Sequence, residues 1–156
     1  PIISLTPQKI IELGGSQTPI DVGMYIRDFS EFNVVKGLFI ADVTVWFRFN
    51  PQLISLDRIA LFNFEKAEIV EKSKSNTRID GSNLFASFDV RIKCNVSLNY
   101  VDFPIDDHRI CFTLSNYYLS PADATFFSSR SSLVINPEIV VEGWELFDKE
   151  IKTGYM

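Results

Sequence analysis

One histidine, two cysteines and no long apolar run set the first limits on this chain. The lone His108 excludes a histidine-based metal cluster, and the spacing of Cys94, His108 and Cys111 matches no common zinc pattern. Two cysteines are too few for a disulfide scaffold. No apolar stretch approaches the ~20 residues that a membrane-spanning helix needs. Basic residues are outnumbered 15 to 20, and a net charge of −5 gives phosphate little to bind, so nucleic acid is not an expected partner. A glycine-rich phosphate loop and a nucleophile motif are also missing. The pair Asp106 and Asp107 reads as a turn with a salt bridge rather than as catalytic carboxylates. The expectation is therefore neither an enzyme nor a holder of metals or cofactors.

What the chain does have is apolar and aromatic. Its 156 residues suffice for one domain with a real core, taken as residues 1–156, and 46% of them are hydrophobic. Fourteen are phenylalanine, a residue that suits sheets better than helices. The chain opens on "PIISLTP" and closes on "KTGYM" with no leader-like segment, and we read it as a domain excised from a longer protein.

Strict alternation dominates the pattern. In "IDVGMYIRD", Ile20, Val22, Met24 and Ile26 fall on one face, with Asp21, Tyr25 and Arg27 on the other. In "ADVTVWFRF", Val43, Val45, Phe47 and Phe49 oppose Asp42, Thr44, Trp46 and Arg48. In "FASFDVRIKCNV", Phe88, Val90, Ile92, Cys94 and Val96 alternate with polar residues that include Arg91. Period two marks half-buried strands. Turn signals separate them: "DFSEFN" and "VKG", then "NPQ", then "KSKSNTRIDGSN" with its Asp-Gly hairpin turn. The one helix signal is "LTPQKIIEL", with Thr6 as cap and Pro7 at its first position. Short strands between turns predict an all-β fold, a twisted β-sandwich.

Parity bears on the cysteines. Cys94 shares the apolar face of its strand, whereas Cys111 lies opposite Ile110, Phe112 and Leu114. A disulfide needs Cβ atoms ~3.5–4.5 Å apart, so a bond requires a bulge, and a buried Cys94 thiol is the simpler reading. Trp46 stands on the polar face of its strand beside Arg48. Either it covers the sheet surface or it walls a ligand pocket, where aromatic faces hold cations and an arginine pairs with a carboxylate.

The order of several segments resembles the ligand-binding domain of the pentameric ligand-gated ion channels, the Cys-loop receptor superfamily, in its bacterial form. "FPID" looks like the aromatic-Pro-x-Asp signature, and "DVTVWFRF" is similar to the strand that brings a Trp to the binding site. "RDFSEFNVVKG" looks like the loop joining the first two strands, and "PIDVGMYIRD" like the first strand. "INPEIVVEGWELFDKEI" is similar to the approach to the ninth strand. The likeness covers residues 18–152. Cys111 falls one residue late and Cys94 lies near but not at the family's first position, so the covalent loop is not expected.

The resemblance implies an immunoglobulin-like β-sandwich of about nine to ten strands. Ligand, an amine or a carboxylate, would bind between subunits of a homopentamer formed by the full-length protein, whereas the fragment alone is expected to be a monomer. Position carries the ligand-binding role to Trp46, Arg48 and Arg91, to Tyr117 and Tyr118, to Phe62 and Phe64, and to Tyr155. It carries a coupling role at the membrane-facing end to Glu31, Phe32, Phe103, Pro104 and Asp106. Membrane attachment would come from helices beyond Met156, placing the domain on the periplasmic or extracellular face. A periplasmic sensor or a soluble binding protein with the same fold is the second reading.

Overall fold

The computed structural model describes residues 3–4, 6, 8, 12, 18–33, 35–95, 112–120, 123–139 and 154–155. Three long strands form where the alternation is longest: β2 (Pro19–Asn33), β3 (Leu38–Phe49) and β7 (Asn83–Asn95), with the two-residue β1 (Ile3–Ser4) before them. They lie antiparallel, with Val43 of β3 opposite Ile26 of β2 and Val90 of β7. Ile20, Ile26, Val43, Val45, Phe47, Phe49, Phe88, Val90, Ile92 and Cys94 are all buried. These are the faces that the alternation predicts; Val22 and Met24 are half-buried against the same core, and Val96 lies outside the described residues.

"DFSEFN" is not a break between strands, as expected from its composition, but the last part of β2. Apolar spacing explains it. Ile26, Phe29 and Phe32 recur every third residue, and the pairing with β3 shifts between Ile26 and Asp28 and again between Phe29 and Glu31. Each bulge inserts one residue and returns the next aromatic to the same side. The described turn comprises residues 35–37.

The remaining elements are α1 (Leu56–Ile59), β4 (Asn63–Glu65), β5 (Ala67–Lys72), β6 (Asn76–Asp80), β8 (Thr113–Ser115), β9 (Thr125–Phe127), a 3-10 turn (Arg130–Ser132), β10 (Leu133–Ile135) and β11 (Gly154–Tyr155). Seven strands make one mixed sheet in the order β10-β2-β3-β7-β5, with β6 also on β7 and β9 also on β2. β9 and β10 run parallel to β2. β4 with β8 and β1 with β11 form two-stranded ribbons. The described fold is thus mostly β with few helices. In the region expected to be an N-terminal helix, residues 8 and 12 are helical.

One face of the large sheet is covered by the chain that follows β3. Ser55 caps α1 by accepting a bond from the Arg58 amide at 3.3 Å, which places Ile59 in the core. Phe47, fully buried, lies 5.3 Å from Phe62, 6.1 Å from Phe88 and 6.4 Å from Phe126 between ring centroids. Cys94 is a buried free thiol, and burial pushes its pKa up to about 11. At the sheet edge, the Lys72 ammonium sits 3.8 Å from the Phe62 ring centroid and donates to the Ala60 carbonyl. Its partial burial pulls its pKa below the ordinary lysine value. A charge turned inward on an edge strand, beside the bulge between Ile69 and Glu71, discourages pairing with another chain.

Candidate ligand-binding face

The opposite face of the sheet carries the informative side chains. Pairing across β2, β3, β7 and β6 sets them in rows. One row runs Gly23, Trp46, Ser87 and Asn76, and the next runs Asp21, Arg48, Phe85 and Arg78. Trp46 stacks on Phe85 with centroids 5.5 Å apart and planes 24° from parallel. The indole also lies across Gly23, where a Cβ would stand 2.1 Å from Cζ2. Arg48 lies 5.9 Å from the Phe85 centroid, and Arg78 lies 4.4 Å from it. Asp80 Oδ2 sits 3.0 Å from Arg48 Nε as an ion pair, without the direction of a hydrogen bond.

Arg91 shares this face but belongs to another group. It pairs with Asp42, itself on β3 four residues before Trp46, a displacement of about 13 Å along the strand. Arg91 Nε donates to Asp42 Oδ1 at 2.8 Å, and Glu71 lies 3.9 Å away. That hydrogen bond and both carboxylates raise the Arg91 pKa further. Arg27 lies 3.9 Å from Asp89, which accepts a 2.7 Å bond from the Thr44 hydroxyl. These groups line an open groove of about 380 Å³. Its charges are matched to one another, so it offers less to a ligand than the Trp46 rows do.

Phe62 and Phe64 are 2% and 4% exposed, and both rings pack in the core rather than facing a ligand. Tyr117 and Tyr118 follow β8 and are 76% and 61% exposed. The Tyr117 hydroxyl donates to Glu65 Oε1 on β4, and the Ser115 hydroxyl donates to the same oxygen at 2.8 Å. Tyr118 lends its carbonyl to Arg58 at 2.7 Å, and Arg58 also pairs with Asp123 at 2.8 Å. Tyr155 pairs with Ile3 through the backbone of β11. The structure thus joins Trp46 and Arg48, and sets Tyr117 and Tyr118 on a separate ribbon.

The Tyr117 bond lowers the Glu65 pKa below the ordinary value and raises that of Tyr117. A depressed carboxylate pKa contributes stability above its unfolded value of about 4.3, lost as pH falls through the folded value. A raised tyrosine pKa contributes stability below about 10, lost as pH rises through the folded value. Tyr117→Phe should therefore move the Glu65 pKa upward. Carboxyl-carbon NMR titration reads this, and an unmoved Glu65 would show that the bond is not formed in solution.

Of the expected coupling residues, Glu31 and Phe32 lie at the other end of the β2–β3 pair. Phe32 packs against Phe29 and Phe39 with centroids 5.8 and 5.9 Å apart. Phe39 in turn meets Phe112 at 5.8 Å. Glu31 is exposed beside the second bulge. Phe103, Pro104 and Asp106, like Cys111, lie outside the described residues. Their flanks are described: Asn95 pairs with Leu38, and Phe112 touches Phe39.

Phe85 and Arg78 escaped the sequence reading because "KSKSNTRIDGSN" looks like a polar tip. The signal was present. A two-residue turn at Gly81 and Ser82 sets Asp80 opposite Asn83, and hence Arg78 opposite Phe85. Gly81 has the positive φ of 62° that such a turn requires. Among the described residues no cluster of His, Cys, Asp and Glu is arranged to hold a metal ion, and no helix is long and apolar enough to cross a membrane. No protein-family model matches the sequence, and no curated protein matches it.

Proposed function

We propose that this chain is the ligand-binding domain of a bacterial channel of the pentameric ligand-gated superfamily, a twisted β-sandwich that takes a small molecule between subunits. The observation that carries the reading is the layout of β3. One strand holds Trp46 half-buried on its polar face and, seven residues or about 23 Å away, Phe39 between Phe32 and Phe112. A strand that carries Trp46 at one end and meets Asn95 and Phe112 at the other can report ligand as a shift in packing there. In the full-length protein, helices after Met156 would anchor a homopentamer in the membrane, with this domain on the periplasmic or extracellular side.

Two experiments test the reading. The gene downstream of Met156 should encode four apolar segments of ~20 residues. A single such segment followed by a cytoplasmic signalling domain would favour a periplasmic sensor, and neither would remove the channel. In a screen of amines and carboxylates by intrinsic fluorescence, Trp46→Ala should weaken any genuine ligand at least about tenfold, or ~1.4 kcal/mol. Unchanged affinity would move the ligand face elsewhere.

A further inference from the structure

We propose that Arg78 and Phe85 complete the Trp46 face as an anion-receptive site, whose ligand is a carboxylate carried on a flat apolar body. This rests on the reading of that face as ligand-facing, and it chooses between the two ligand classes that the sequence leaves open. An aromatic face attracts a cation only while its own π-surface is unclaimed. Here Phe85 already carries two guanidinium groups, at 4.4 and 5.9 Å, so an amine would approach like charge.

The two arginines differ in what they have left to offer. Arg48 is matched by Asp80 at 3.0 Å and faces Asp21 across the ladder. Arg78 makes no ion pair with any described residue, and every residue of β6 is exposed. A guanidinium resting on a ring keeps its fork of in-plane N–H donors, and that fork fits a carboxylate with two parallel bonds. The partly exposed ring edges of the Trp46–Phe85 stack beside it supply apolar surface against which an aromatic acid packs. Arg91 is held by Asp42 and Glu71, and Arg27 turns an amino group to the Val43 carbonyl at 3.4 Å with Asp89 3.9 Å away; neither stacks on a ring among the described residues.

The test uses the whole 156-residue chain and two probes, benzoate and benzylamine, at fixed ionic strength. The Trp46 indole N–H resonance, assigned with Trp46→Phe, is followed during each titration. Benzoate should shift it saturably and benzylamine should not. Arg78→Gln, an exposed change, should weaken benzoate about tenfold, in line with the loss of a charge-assisted hydrogen bond. A response to benzylamine alone, or an equal response to both, overturns the carboxylate assignment and leaves the Trp46 face as a ligand site. Benzoate binding that Arg78→Gln leaves unchanged overturns the role of Arg78. Silence from both probes overturns the ligand-facing reading together with the inference.

Discussion

Phe47→Ala should destabilise the domain by about 3–5 kcal/mol, the usual cost of truncating a buried phenylalanine. The residue is fully buried in the central strand, opposite Val22 on one side and Ala86 on the other. Its ring meets Phe62, Phe88 and Phe126, so it joins the sheet to the segment after β3 and to β9. No small neighbour can fill the space without moving one of those rings. A domain is stable by only about 5–15 kcal/mol, so the loss is a large share of the total. Urea unfolding measures it, and Phe127→Ala serves as the comparison. Phe127 is 44% exposed and should cost far less. Equal effects at Phe47 and Phe127 would mean that the core is not centred on β3.

The same strand shows what was legible in the sequence. Alternation places Val43, Val45, Phe47 and Phe49 inward and Trp46 and Arg48 outward, because a pleated strand with one wet face leaves no other choice. Where the pleat is interrupted the pattern misleads. Phe29 and Phe32 reach the Phe39 cluster through two bulges, and a period of three resembles neither strand nor helix. β9 and β10, three residues each, are too short to show a period, and their parallel pairing with β2 depends on chain far away in sequence. Phe62 and Phe64 read as near a site by position, yet the Ser55 cap and α1 turn that segment onto the sheet. The ligand face was half legible. Trp46 and Arg48 follow from one strand, whereas Phe85 and Arg78 require the register between strands.

Gly23→Ala should reveal how that face is held. The φ of Gly23 is not in the left-handed region, so the glycine is needed for space and not for backbone shape. An added Cβ would lie 2.1 to 2.5 Å from Cζ2, Cε2 and Nε1 of Trp46, and the indole must swing away. The expected cost is about 1–3 kcal/mol, as for other overpacked sites. In a Trp46→Ala background the clash has no partner. There the same substitution should be neutral or stabilising by about 0.5–1 kcal/mol, because alanine loses less backbone entropy than glycine in a strand. The double-mutant cycle should therefore show a coupling above about 1 kcal/mol by urea unfolding. Additive effects would mean that the indole does not rest on Gly23. If it does, Gly23→Ala should also weaken benzoate as much as Trp46→Ala, with both variants followed by the backbone amide resonances of β3 and β7, although it removes no aromatic ring and no charge. That outcome would separate the position of the indole from its mere presence as the requirement for binding.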